Sequence, residues 1–356
     1  MPVIRGLRAL LGPLVAMLLA TTFQGYAGEG ATLKAGDQAP KLSISKWLNG
    51  EAVENFEKGK IYVIECWATW CGPCKASIPH VSELNTRLKD KGVVIIGMNV
   101  SEQDTSKVEP FVKEMGDKMN YRVAMDADGK TAETWLAAAG RNSIPCAFIV
   151  DKEGKIAWIG HPMTDLDRIL DELVAGTFDP KKQAELEAKR EGIMRRFAEA
   201  DKAGDVDKIL ALGEEFVALD PKAAPNMKFM KFKILLMKKR EYAAAYAIAA
   251  ELADKEFKDN VGALNDMAWT ILDGQGIEKR DLDLALKAAV RADELTKHEN
   301  APILDTLARA YFEKGQTDKA IETQTLAVEK AAGNQELKDA LAKTLAKYKE
   351  KAGAKK

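Results

Sequence analysis

Few residues of this chain can build a covalent scaffold or a metal site: 4 cysteines and 3 histidines occur among 356 residues. A disulfide-stapled miniprotein needs a far higher cysteine density. A His-rich metal centre needs ligands at close spacing, and His80, His161 and His298 are scattered. An excess of positive charge is missing too. Lys and Arg number 53 against 54 Asp and Glu, a formal net charge of -1, so there is no general basic surplus for binding nucleic acid. The apolar stretch Ala9–Ala20, broken by Gly12 and Pro13, falls short of the about 20 residues that span a bilayer. What is there is 46% hydrophobic and 30% charged residues, the balance of a soluble globular protein long enough for two domains.

The start of the chain reads as an address. Arg5 and Arg8 precede Ala9–Ala20, and Gly25-Tyr26-Ala27 places small residues at the −3 and −1 positions of a cleavage point. This predicts a secretory signal peptide over 1–27. The mature chain is then expected in the periplasm or otherwise exported from a bacterium, with no membrane span after cleavage. Export matters for chemistry, because disulfides form outside the cytoplasm.

Two halves differ in periodicity. From Thr32 to Gly176, Ile61–Trp67, Val93–Val100, Tyr121–Met125, Cys146–Val150 and Lys155–Ile159 are short and apolar enough for buried strands. Pro79–Lys89, Val108–Met115, Thr131–Ala138 and Met163–Val174 have helical spacing between them. Asp151-Lys152-Glu153-Gly154 reads as a hairpin turn in which Gly154 suits a positive φ. The alternation predicts an α/β domain over 32–176 around a mixed central sheet. Over 183–350 the strand signals stop, and Ala, Leu, Lys and Glu at a period of 3.6 predict helix throughout. Leu304, Leu307, Ala308, Tyr311, Ala320 and Ala327 fall on the spacing of a tetratricopeptide unit. Leu264, Met267, Ala268, Ala285, Ala289 and Ala292 make a second copy with an insertion around Gly274–Arg280. Phe229, Phe232, Ala245 and Ala249 make a weaker third, and Ile209–Pro221 suggests part of a fourth. Lys349–Lys356 is expected to fray.

The chemistry concentrates in Glu65-Cys66-Trp67-Ala68-Thr69-Trp70-Cys71-Gly72-Pro73-Cys74-Lys75. A C-x-x-C that follows a buried strand and opens a helix points to redox work. At a helix N-terminus the free backbone N–H groups and the dipole favour the Cys71 thiolate. Cys74 lies one turn in, so Cys71 is expected to attack a disulfide and Cys74 to resolve the mixed disulfide. Pro73 costs little in a first turn. A zinc site lacks a second ligand pair, and a covalent haem needs His where Lys75 stands. A purely structural bridge across one turn closes too small a loop to stabilise much. Ser143-Ile144-Pro145-Cys146 supplies the second half: a cis Ile144–Pro145 bond would bring the chain beside the C-x-x-C and leave the Ile144 backbone free to pair with an extended substrate. Glu65, six residues before Cys71, is a candidate proton relay for Cys74 if buried; a water-facing place at a sheet edge is the alternative. Cys66 and Cys146 read as small buried hydrophobes. Trp67 and Trp70 are expected beside Cys71 in core and rim. Trp47, Trp135, Trp158 and Trp269 read as core or partly buried.

Through Trp67–Lys75, the leader Gly36-Asp37-Gln38-Ala39-Pro40, the insertion Val108–Ala138 and Ile144-Pro145, the first half resembles the thioredoxin superfamily, and within it the exported TlpA/ResA-type thiol–disulfide oxidoreductases. The resemblance implies a thioredoxin-like fold, Cys71 as nucleophile, Cys74 as resolving thiol and Pro145 as the cis proline, with Glu65 where thioredoxins carry a buried acid. The expected substrate-binding residues are Trp70, Gly72, Pro73, Ile144 and Pro145. Ser77 stands where many cytochrome-maturation members have Glu. The expected activity is protein-disulfide reduction by the Cys71–Cys74 dithiol, without metal or other cofactor. The expected partners are protein disulfides, a membrane or exported thiol donor, and a peptide or protein held by the helical repeats. Rival readings are a redoxin-type peroxidase, whose pattern has Pro where Trp67 stands, and a non-catalytic tetratricopeptide adaptor.

Overall fold

The computed structural model describes residues 31–331 and 333–353, so the expected signal segment lies outside the described residues. The chain divides into two compact units, one ending at Gly192 and the other beginning at Ile193. The first holds six strands: β1 (Ile44–Asn49), β2 (Ile61–Trp67), β3 (Val93–Asn99), β4 (Arg122–Asp126), β5 (Cys146–Val150) and β6 (Ile156–Gly160). Their order in the sheet is β1-β4-β3-β2-β5-β6. β2, β3 and β4 are parallel, while β1 pairs antiparallel with β4, β5 with β2 and β6 with β5. The mixed sheet expected from the sequence is therefore present, with Gly154 of the β5–β6 turn at φ +80.

β2 sits at the centre and all seven of its residues are buried. Successive side chains of a strand point to opposite faces. Ile61, Val63 and Trp67 accordingly pack in one core, with Ile78, Val81, Leu84 and Leu88 of helix α1 (Gly72–Leu88) and Leu166, Ile169, Leu170 and Leu173 of α3 (Leu166–Ala175). Tyr62, Ile64 and Cys66 pack in a second core with Trp135, Phe148 and Val150. Burying each such side chain contributes roughly 1.5–3 kcal/mol, so central burial on both faces fixes where the β2 C-terminus delivers the C-x-x-C.

Three local features differ from the sequence expectation. β1 is an edge strand with Ser45 and Lys46 exposed and two irregularities in its register with β4, so it carries no clean alternation to read. α1 begins at the C-x-x-C as expected, but it joins that first turn and the expected Pro79–Lys89 helix into one helix running through Pro79, although an interior proline removes one helix hydrogen bond; the buried row from Cys74 to Leu88 holds it. The expected helix at Thr131–Ala138 is a wide turn over Ala132–Ala137, with Ala138 N–H donating to the Glu133 carbonyl and Arg141 N–H to Leu136. Asp126 accepts from the N–H groups of Thr131 and Ala132 and anchors its start. A wider turn spreads neighbours less around the axis, and the adjacent Trp135 and Leu136 are both buried. β2 and β5 keep their expected bounds, and those of β3, β4, β6 and α3 move by one to three residues. α2 (Val108–Met115) falls where the spacing places it.

The second unit is helical. After α4 (Pro180–Ala203), inside which the division between units falls, come α5 (Val206–Leu219), α6 (Ala224–Ile234), α7 (Tyr242–Asp254), α8 (Val261–Asp273), α9 (Leu282–Leu295), α10 (Ala301–Glu313), α11 (Thr317–Lys330) and α12 (Gln335–Gly353). Asp205, Asn260, Asp281 and Asn300 each cap a helix, accepting from the N–H three residues on. Ala245, Ala249, Ala268, Ala285, Ala289, Ala292, Ala308, Ala320 and Ala327 are fully buried, as expected where paired helices cross closely. The insertion at Gly274–Arg280 folds back so that Arg280 donates to the carbonyls of Ile271 and Gly274 at the end of α8. Two expectations fail here. Trp269 is exposed, because its position on α8 lies off the buried Leu264–Ala268–Ile271 face. Within the expected frayed tail, Lys349–Gly353 continue α12, held by buried Tyr348, whose ring stacks 4.2 Å from that of Phe312, and 354–356 lie outside the described residues. No helix among the described residues is long and apolar enough to cross a membrane.

Candidate active site

β2 ends at Trp67, and Ala68–Cys71 turns the chain into α1, with Cys71 N–H donating to the Ala68 carbonyl. Cys71 is the N-cap of α1 in an extended conformation. Its Sγ accepts from the Cys74 N–H at 3.1 Å, which is the backbone donation that favours negative charge on a capping sulfur. Cys71 and Cys74 are joined as a disulfide with Cα atoms 5.3 Å apart. Cys74 is fully enclosed and Cys71 is 4% exposed, so the outer sulfur is the one nearer solvent. The Ile144–Pro145 peptide is cis, and the Ile144 carbonyl oxygen lies 3.7 Å from Cys71 Sγ. Trp70, Gly72 and Pro73 are exposed around the pair, Ile144 is half-buried and Pro145 is buried.

Glu65 is fully buried in the central strand, and neither carboxylate oxygen has a hydrogen-bond partner in the protein. Burial pushes its carboxyl from an ordinary 4.5 to about 8. The neighbours in register are Gly97 on β3 and Ala147 on β5, two of the smallest residues. A Cβ on Gly97 would meet the Tyr121 ring at 2.7 Å and Trp67 Nε1 at 3.2 Å. The Tyr121 hydroxyl and Trp67 Nε1 are likewise buried without a protein partner. Burial, and then the Glu65 charge, hold the Tyr121 phenol well above its usual range.

The turn before Cys71 is gripped from the β3 end. Glu102 accepts from the Thr69 N–H at 2.9 Å and from the Thr69 hydroxyl at 2.7 Å. Asn99 Nδ2 donates to the same carboxylate at 3.0 Å. Trp70 Nε1 donates to the Ser101 carbonyl at 3.1 Å, and Ser101 adopts φ +56.

Residues 34–169 match the redoxin family model. The chain is 34% identical over 137 residues to the thiol-disulfide oxidoreductase ResA of Bacillus cereus, covering 38% of this chain and 75% of that protein. It is 29% identical over 171 residues to protein FixW of Rhizobium leguminosarum, covering 46% of this chain and 76% of that protein. Among solved structures, StoA of Bacillus subtilis aligns with 40% of this chain and 99% of its own at 25% identity, with a TM-score of 0.31. The first half of this chain is thus a redoxin domain of the thioredoxin superfamily.

The redoxin domain brings together Cys71, Cys74, Trp70, Gly72, Pro73, Ile144 and Pro145, and it places Glu65 inside the sheet and not at a water-facing edge. Its redox-active group is its own cysteine pair. Among the described residues no cluster of three or more His, Cys, Asp or Glu could hold a metal ion. Cys66 and Cys146 face each other across β2 and β5 as free, buried thiols. They belong to the core on the sheet face opposite Cys71 and Cys74. Burial pushes the Cys146 thiol up to about 12 and holds the Cys66 thiol well above its usual range. Sequence reasoning missed Asn99, Ser101 and Glu102, whose only signal is a polar run directly after an apolar strand. Ser77 is buried, its hydroxyl donating to the Cys74 carbonyl at 3.0 Å.

Proposed function

We propose that this chain is an exported protein-disulfide reductase, with a thioredoxin-like domain over 32–176 and a tetratricopeptide-like domain over 183–350 that holds a protein partner. The observation that carries the reading is Cys71 Sγ at the cap of α1, with the Cys74 N–H on one side and the Ile144 carbonyl on the other. In the reduced enzyme the Cys71 thiolate attacks one sulfur of a substrate disulfide. A Cys71–substrate mixed disulfide forms and the other substrate sulfur leaves as thiolate. Cys74 then gives up its proton and attacks Cys71 Sγ, the mixed disulfide breaks, and the second substrate thiolate departs. Two electrons have passed to the substrate, which takes up two protons, and Cys71–Cys74 is left oxidised for an external dithiol to reduce. In its ionised form Glu65 is the buried proton acceptor for Cys74, and its protonated carboxyl is the donor back when the enzyme is reduced again. The exposed Trp70, Gly72 and Pro73 with the Ile144 backbone form the rim that receives an extended substrate segment.

The repeat reading is supported by burial of the phased positions, all but half-buried Tyr311, in three successive helix pairs, α6–α7, α8–α9 and α10–α11. Export is supported by the signal pattern over 1–27 and sets the oxidising surroundings in which such a reductase needs a dedicated thiol donor. The experiment is capture with Cys74→Ser in the exported compartment. Protein adducts through Cys71, released by dithiothreitol and absent from Cys71→Ala/Cys74→Ser, are expected. No adduct, together with no exchange between the purified wild type and any dithiol, refutes the proposal.

A further inference from the structure

We propose that Glu102 is a positioning residue for disulfide exchange, acting through the turn that presents Cys71; this rests on the redox reading above. Ala68–Cys71 is a four-residue turn closed by one backbone bond. The β3–α2 connection holds both of its central residues. Glu102 binds the N–H and the hydroxyl of Thr69, and the Ser101 carbonyl binds the Trp70 indole. The connection is itself fixed to the sheet: Asn99, the last residue of β3, donates to Glu102, and the Val100 N–H donates to the Trp67 carbonyl. Glu102 is therefore the keystone of a three-bond link from β3 to the residue two before the attacking sulfur. Without it the Thr69 N–H and hydroxyl lose their acceptor and must find new partners, and the Asn99 amide keeps only its longer, 3.5 Å bond to the Trp67 carbonyl. The turn then has reason to shift, and Trp70 and Cys71 shift with it relative to the Ile144 carbonyl.

The substitution Glu102→Gln separates geometry from charge. A glutamine in the same pose accepts from the Thr69 N–H and from Asn99 through its oxygen, and donates to the Thr69 hydroxyl through its amide nitrogen. All three links survive and the negative charge is gone. Glu102→Ala removes all three.

The test uses the full chain, insulin as the disulfide substrate and dithiothreitol as the terminal reductant. Glu102→Ala is expected to lose about tenfold or more in kcat/KM, since small misplacement of a reacting group carries penalties of that order. Glu102→Gln is expected within about threefold of wild type. Equal losses in both variants, or no loss in Glu102→Ala, overturns the proposal. If Glu102→Ala does not fold by circular dichroism, Thr69→Val decides: it removes only the hydroxyl link and is expected to cost about threefold, and full activity there overturns the proposal. A wild type that neither reduces insulin nor reacts at Cys71 with iodoacetamide brings down the redox reading itself, whereas an active wild type matched by Glu102→Ala brings down only the role of Glu102.

Discussion

Glu65→Gln removes one ionisable group from the centre of the sheet and leaves its shape nearly unchanged. Burial holds the native carboxyl near 8 against an ordinary 4.5, so between those values the folded chain keeps a proton that the unfolded chain releases. Stability then falls as pH rises. With one pKa unit worth about 1.4 kcal/mol, the wild-type redoxin domain loses about 3 kcal/mol between pH 5 and pH 8 through this group alone. Glu65→Gln lacks that loss, so the stability difference between variant and wild type grows with pH across the window. Guanidinium unfolding of the oxidised proteins at several pH values measures it, using the transition assigned to the redoxin domain. Infrared difference spectroscopy of the carboxyl band gives the titration directly. The same substitution is expected to slow resolution of the mixed disulfide by about a hundredfold, the usual scale of a lost general acid or base, while first attack by Cys71 is unaffected. A stability difference flat from pH 5 to 8, or a Glu65 carboxyl titrating near 4.5, would refute the burial argument.

Three further outcomes follow from single residues. In the reduced, folded protein iodoacetamide is expected to label Cys71 and spare Cys66 and Cys146, whose burial suppresses the thiolate; peptide mass mapping with and without denaturant checks this, and labelling of either at the rate of Cys71 contradicts it. Gly97→Ala pushes a methyl into the Tyr121 ring and is expected to destabilise the redoxin domain by about 1–3 kcal/mol, with a wild-type unfolding midpoint as the contrary result. Asn300→Ala removes the cap of α10 and is expected to cost the helical unit about 1 kcal/mol, against a few tenths for Asn300→Gly.

The parts of the fold legible in the sequence are those where one face or one strand repeats a pattern. β2 and β5 fall on their expected bounds because every residue is apolar but Glu65, and the turn at Gly154 announces itself. The C-x-x-C and Ile144-Pro145 are separated by seventy residues yet readable, since each has a local signature. β1 was hidden because its pairing partner β4, and not its own alternation, makes it a strand. Trp269 was misread because an aromatic within a helical run looks like core, and only the phase of its neighbours shows that it faces out. Glu102 was invisible for a different reason: its function lies in bonds to a turn 33 residues earlier, and no periodicity encodes such a distance.

The strand β2 explains why these features converge. Its alternation sends Glu65 and Trp67 toward the α1 face and Cys66 to the other, so the redox pair and the free thiols are kept on opposite sides of one sheet. The slot for Glu65 exists because its register partners are Gly97 and Ala147, and larger side chains at either would compete for the same space. A buried acid without protein hydrogen bonds is costly to stability. A domain built only to be stable would place an apolar residue there, as it does at Ile61 and Val63 four and two positions earlier on the same face. The retained cost at this one position, on the sheet face that packs against the helix carrying Cys71 and Cys74, is the physical argument for the proton-transfer role proposed for Glu65.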